Sequence, residues 1–137
     1  MKIAFIGGGN MATAIIGGLL ARGADAADLR VAEIDAAARE RLGREFGVTA
    51  VADALEAAAG ADCVFLAVKP QQMRTVVASV APACASALVV SIAAGIRLAD
   101  LSRWLGGHAG LVRAMPNTPA LVHAGVTGLY APPAVDE

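Results

Sequence analysis

The 137-residue sequence is poor in aromatic side chains, which amount to 4% of it, with three Phe, one Tyr and one Trp. A stacking platform for single-stranded nucleic acid needs more than this. Charge of one sign is also missing. Eleven basic and twelve acidic residues leave a net charge of -1, so no cationic excess exists to displace counterions from phosphates. Charged residues are only 17% against 57% hydrophobic, the reverse of a disordered chain. The two cysteines, Cys63 and Cys84, are far apart, and the histidines His108 and His123 are isolated, so no zinc spacing arises and no metal is expected. Buried thiols in a reducing compartment are the reading adopted for the cysteines. No apolar run reaches bilayer-spanning length; residues 83–96, the longest, contain Ser86 and Ser91 and break at Gly95. The opening lysine and apolar stretch have the outline of a signal peptide, but three glycines and Asn10 interrupt it. The expectation is a soluble cytoplasmic protein with one domain over residues 1–137, bound neither to membrane nor to nucleic acid.

What is present is an alternation of strand-like and helix-like segments. Short β-rich runs fall at residues 2–6, 29–34, 48–51, 62–68, 87–92 and 111–115, and a last one is placed at 125–130. Between them, residues 10–22, 36–46, 70–80 and 98–105 carry helical spacing, and an alanine-rich helix follows Asp53. Gly23 and Gly47 suit C-terminal caps, Asp53 suits an N-cap, and Pro70 suits a first helical position. Residues 62–68 are apolar in succession, as in a parallel strand covered on both faces. Strands separated by helices imply right-handed crossovers and an α/β fold, a doubly wound parallel sheet of Rossmann-like type.

One segment carries chemistry. Gly7-Gly8-Gly9-Asn10-Met11-Ala12 fits G-x-G-x-x-A and lies between the first strand and the first helix, the context that makes the pattern informative. Gly7 permits the tight turn. Gly9 lacks a Cβ, so a pyrophosphate can approach the backbone. Ala12 keeps the helix close to the sheet, and the amides of the first helical turn face the phosphates. At the end of the second strand Glu33, with Asp35 nearby, is placed to accept hydrogen bonds from the adenosine ribose and to repel a 2′-phosphate. Arg39 and Arg41 are placed to offset that repulsion. A solvated strand end is the other reading of Glu33, and the choice between NADP and NAD stays open.

Three further segments are Ala67-Val68-Lys69-Pro70-Gln71, Ser91-Ile92-Ala93-Ala94-Gly95-Ile96 and Arg113-Ala114-Met115-Pro116-Asn117-Thr118-Pro119-Ala120. With the glycine segment, in this order and spacing, they make the whole chain resemble the N-terminal half of the pyrroline-5-carboxylate reductases. The resemblance implies NAD(P)H-dependent reduction of a cyclic imino acid, 1-pyrroline-5-carboxylate, to L-proline. It implies that residues from Gly7 to Ala12 hold the pyrophosphate, that Ala67, Val68, Lys69 and Pro70 line the nicotinamide side, and that Ala93, Ala94, Gly95 and Asn117 flank it. Each group sits at the C-terminal end of an expected parallel strand, where open α/β sheets bind ligands. Read from the residues alone, Lys69 is a strand-mouth cation or a solvated loop lysine, and Asn117 is a ligand contact or an Asx-turn residue.

The chain departs from the pattern at Ala54, where several relatives have an asparagine near the ribose. It departs also in length. The family carries a second, helical domain that builds the homo-oligomer and most of the imino-acid pocket. The resemblance therefore implies part of a two-domain enzyme, with no catalytic residue in this half, which by itself binds coenzyme and turns over little or no substrate. Two rival readings remain, a non-catalytic dinucleotide module and a related dehydrogenase of the 2-hydroxyacid or prephenate type.

Overall fold

The computed structural model describes residues 1–115, 128–133 and 135. The strands are β1 (Ile3–Ile6), β2 (Leu29–Ala32), β3 (Thr49–Val51), β4 (Cys63–Leu66), β5 (Leu88–Ser91), β6 (Leu111–Met115) and β7 (Gly128–Tyr130). The helices are α1 (Asn10–Ala21), α2 (Ala36–Phe46), α3 (Ala54–Ala58), α4 (Pro70–Cys84) and α5 (Leu98–Trp104), and a single 3-10 turn spans Ala26–Asp28. The sheet order is β3-β2-β1-β4-β5-β6-β7. β1 to β6 pair in parallel, and β7 closes the edge antiparallel to β6.

Burial on both faces explains the strand composition. β1 is buried at every residue, and its side chains alternate between two cores. Phe5 packs with α1 and α2 through Ile16 and Leu42. Ile6 packs with α3 and α4 through Ala57, Met73 and Val77. The pairing Phe5↔Phe65 brings two rings into a stack, with centroids 4.8 Å apart and planes 12° from parallel. Such a pair adds about 0.5–1.5 kcal/mol beyond area burial.

The expected caps form. Asp53 accepts a hydrogen bond from the Glu56 amide, and Gly47 ends α2 in the left-handed region; Asp35, read from the sequence only as an acid near Glu33, is the N-cap of α2 and accepts from the Ala37 amide. The structure also differs from the expectation at particular places. α4 runs to Cys84 rather than ending at residue 80, passing through Pro82. An interior proline removes one helical hydrogen bond, but Pro82 and Ala78, one turn before it, are both exposed. Burial of Val80 and Cys84 carries the helix onward. The 3-10 turn was not anticipated; Asp25 creates it by accepting from the Ala27 amide. The doubly wound parallel sheet expected from six strands forms in β1 to β6; of the last expected strand, residues 125–127 lie outside the described residues, and β7, whose direction the sequence left open, runs antiparallel.

Candidate functional site

Strand order reverses direction between β1 and β4. β1 is followed outward by β2 and β3 on one side, and by β4, β5 and β6 on the other. Helices leaving β1 and β4 therefore cover opposite faces, and a crevice opens at the C-terminal ends of the strands. In this protein the crevice is a cleft of about 570 Å³, within the range of about 300–1,000 Å³ usual for ligand sites. Its floor is Ile6 and the three glycines, one wall is Ala32, Glu33 and Ile34 with Ala52 and Ala54, and the other is Ala67, Val68, Lys69 and the first turns of α4.

The three glycines differ in why they are glycine. Gly7 has φ +106°, and a Cβ there would fall 2.6 Å from the Ala67 carbonyl oxygen and 2.8 Å from its carbon. The turn after β1 thus passes directly against the end of β4. Its amide donates to the Ala32 carbonyl at 2.8 Å, tying the turn to β2 as well. A Cβ on Gly8 would meet Leu42 at 2.8 Å and the Glu33 carboxylate at 3.1 Å. At Gly9 a Cβ would meet nothing within 4 Å. Nothing in the protein's own packing requires glycine there, and the space it leaves open belongs to the cleft. Gly9 is also the N-cap of α1, and no side chain caps that helix. The first-turn amides and the positive end of the helix dipole are therefore available to an anion. α4 likewise starts without a side-chain cap, at Lys69 and Pro70. These features fit a dinucleotide: an uncapped twelve-residue helix, a position where a Cβ would stand in the ligand's place, and a long cleft across the switch point.

Glu33 occupies the far wall in a way spacing does not reveal. Its Oε2 accepts from the Gly8 amide at 2.8 Å, and its Oε1 accepts from the Asp35 amide at 3.1 Å. The carboxylate is thus clamped between the glycine turn and the start of α2. Arg39 does not reach into the cleft. Its Nη1 donates to the carbonyls of Glu33 and Ile34 at 2.8 and 2.9 Å. Neither Arg39 nor Arg41 lines the cleft, where Lys69 is the cation among the described residues.

The cleft gathers Gly7, Gly9, Glu33, Ala67, Val68 and Lys69 from the expected residues. Asn10, Met11 and Ala12 form the first turn of α1 behind the glycines, with Ala12 buried against the sheet and Asn10 exposed. Pro70 opens α4 beside the cleft. Ala93, Ala94 and Gly95 follow β5 and do not line it; Ala93 is buried, whereas Ala94 and Gly95 are exposed. Asn117 lies outside the described residues. Gly8, inside the expected pyrophosphate segment, lines the cleft as well, and sequence reading gave no role to Ile34, Ala52, Gln71, Gln72, Thr75 and Val76, which also line it. The spacing of Gln71, Gln72, Thr75 and Val76, four apart in pairs on one helix, was a usable signal for a helical wall.

Elsewhere, both free cysteines are buried, and burial pushes each thiol up to about 11; at Cys63 the neighbouring Asp62 charge adds to that. No helix among the described residues is long and apolar enough to cross a membrane.

Comparison with known proteins agrees with this arrangement. The chain is 50% identical to the pyrroline-5-carboxylate reductase of Pseudomonas aeruginosa over 131 residues, covering 95% of this chain and 48% of that protein. A solved pyrroline-5-carboxylate reductase from Coxiella burnetii superposes with a TM-score of 0.94 at 40% identity, covering 99% of this chain and 51% of the other. The Plasmodium falciparum pyrroline carboxylate reductase, solved with NADP bound, superposes with a TM-score of 0.86 at 25% identity, covering 99% and 50%. The chain spans about half the length of the relatives it matches, and the match is to their N-terminal half. Residues 2–95 match the family described as NADP oxidoreductase coenzyme F420-dependent, and the chain belongs to that family.

Proposed function

We propose that this chain is the coenzyme-binding half of an NAD(P)H-dependent reductase that converts 1-pyrroline-5-carboxylate to L-proline in the cytoplasm, working as a homo-oligomer. The observation that carries the reading is the open Cβ position at Gly9, at the uncapped start of α1 and on the floor of a switch-point cleft. Similarity to pyrroline-5-carboxylate reductases over nearly the whole chain supplies the substrate.

A bound reduced nicotinamide supplies a hydride for an imine carbon. The chain's own residues bind and orient. Amides at Gly9 and the first turn of α1 hold the pyrophosphate, assisted by the helix dipole. Lys69, exposed at the end of β4, adds a mobile positive charge at the nicotinamide side. Ile34, 82% exposed, with Ala52 and Ala54 beside it, offers an apolar shelf for the adenine. Ala67 and Val68 present backbone and small side chains to the nicotinamide ring, leaving room for close approach of the second reactant. The turn from Ala93 to Gly95 follows β5 at that same end of the sheet, and in this reading it and Asn117 complete the nicotinamide side. In this reading, as the family resemblance implies, proton delivery to the ring nitrogen falls to the second half of the enzyme.

Two measurements test the reading. Titration with NADH and NADPH, followed by nicotinamide fluorescence, should show saturable binding by the native chain. A chimera joining this chain to the C-terminal half of the Pseudomonas aeruginosa enzyme should then reduce pyrroline-5-carboxylate and leave prephenate and 2-ketoacids untouched. A folded chimera that binds coenzyme and forms no proline refutes the substrate; a folded native chain that binds neither coenzyme refutes the site.

A further inference from the structure

Among the described residues, Nε of Arg41 on α2 and Nε of Arg113 on β6 are buried without a hydrogen-bond partner. Arg113 stands near the C-terminal end of the sheet, and its register partner on the parallel strand β5 is Ser91. Paired residues of parallel strands leave the sheet on the same face. Here it is the face under α4 and α5, because Val89 and Leu111, two residues earlier on each strand, belong to that core. Ser91 is a fully buried polar residue. Its Oγ accepts from the Ala93 amide at 3.3 Å, and its own proton meets no acceptor among the described residues. A buried guanidinium N–H and a buried hydroxyl proton thus lie side by side with nothing to receive them. We propose that Arg113 and Ser91 form a carboxylate-binding site at the nicotinamide end of the sheet. The placement beside the nicotinamide rests on the coenzyme reading just given.

Chemistry selects the carboxylate. A guanidinium stays charged at every ordinary pH, and its Nε–H with one Nη–H makes a planar fork that matches two carboxylate oxygens. Leaving such a donor buried and unpaired is unfavourable, so an acceptor is called for. The neighbouring elements do not supply an acid. β5 and β7 carry none, and Asp100 on α5 is taken by Arg103 at 2.9 Å. Residues 116–127, which follow β6, contain no Asp or Glu. Among the described residues the approach is open. Ala94 and Gly95 are exposed, a Cβ on Gly95 would meet nothing within 4 Å, and Met115, just beyond Arg113, is 43% exposed. β6 lies two strands from β4, roughly 9–10 Å at ordinary strand spacing. A small imino acid fills that gap when its carboxylate meets the guanidinium and its imine carbon faces a nicotinamide over Ala67 and Val68. The same carboxylate chemistry has a second source, an acidic side chain on the second half of the enzyme.

The test reads the Nε–Hε resonance of Arg113 in the native protein by NMR, assigned through the backbone so that no variant has to fold. Sodium acetate and sodium chloride are titrated separately to the same ionic strength. Acetate is expected to move the resonance downfield and to saturate, and chloride to leave it in place. Ser91→Ala, shown to melt like the native protein, should weaken acetate roughly threefold by removing one donor. L-proline, added with and without oxidised coenzyme, then separates the two sources. Proline that binds more tightly than acetate once coenzyme is present assigns the site to the ligand's carboxylate. Proline that binds no more tightly than acetate in either state assigns it to an acidic side chain of the second half. A resonance that acetate does not move, or that chloride moves equally, overturns the site. Folded Ser91→Ala with native acetate affinity overturns the pairing of serine with arginine. Failure with acetate in a protein that still binds coenzyme leaves the coenzyme reading standing, whereas an acetate shift in a protein that binds neither coenzyme keeps the carboxylate site and removes that reading.

Discussion

Gly7 and Gly9 lie two residues apart in one turn, and the structure assigns them different duties that can be separated by experiment. In Gly7→Ala the new Cβ lands 2.6 Å from the Ala67 oxygen and 2.8 Å from its carbon, and both are backbone atoms at the end of a central strand. They cannot rotate aside as a side chain would. Overpacking of this kind costs about 1–3 kcal/mol. The backbone at φ +106° adds about another 1–3 kcal/mol for a residue with a Cβ. The expected loss is therefore roughly 2–6 kcal/mol, against a total stability of about 5–15 kcal/mol for a domain. At Gly9 the position is open and φ is −74°, which any residue adopts. Serine is at least as good an N-cap as glycine, so Gly9→Ser should leave stability unchanged or raise it by a few tenths of a kcal/mol. Its side chain, however, stands where the pyrophosphate would rest. Affinity for reduced nicotinamide coenzymes should fall at least tenfold, about 1.4 kcal/mol. Urea unfolding of both variants and fluorescence titration of the serine variant give the comparison. The reasoning fails if Gly7→Ala unfolds within about 0.5 kcal/mol of the native protein, or if Gly9→Ser binds coenzyme as the native protein does.

Three other outcomes are expected. Phe5→Ala empties a fully buried site and breaks the stack on Phe65, so unfolding free energy should drop by about 3–5 kcal/mol, measured by denaturant titration. Burial pushes both thiols up to about 11 in the folded protein, above the ordinary cysteine value of 9.0. The unfolded chain releases these protons first, so their stabilising contribution is complete below pH 9 and is lost as pH rises toward 11. Unfolding midpoints at pH 8 and pH 10.5 should show that fall, Cys63→Ala/Cys84→Ala should reduce the pH dependence, and a thiol reagent at pH 7 should label denatured but not native protein. Lys69→Met should weaken coenzyme binding several-fold and lower its salt dependence, because an exposed cation acts through screened Coulomb attraction; equal salt dependence in the two proteins would remove Lys69 from the phosphate and ribose contacts.

Local order was legible in the sequence because each element announces itself by period and by punctuation. Asp53 stands where a cap belongs, Gly47 stops a helix, and residues 62–68 are apolar in succession because β4 is covered on both faces. What failed to show was whatever depends on contacts between distant segments. The direction of β7 is one case. Three exposed residues carry no pattern that distinguishes antiparallel from parallel pairing, whereas β1 to β6 declare theirs through intervening helices. α4 is another: Pro82 reads as a stop, and only the burial of Cys84 against the sheet carries the helix past it. The far wall of the cleft is the most instructive. Spacing puts Arg39 one turn into α2, within reach of a phosphate, and puts Glu33 at a strand end with its carboxylate free. The fold spends both differently, since backbone groups left unpaired where β2 turns into α2 must find partners. Arg39 satisfies the carbonyls of residues 33 and 34, and Glu33 satisfies the amides of residues 8 and 35. The same hydrogen bonds that close this corner leave the carboxylate fixed and the guanidinium occupied. Charge counting along the sequence balances the two residues, and only their partners in space break the tie.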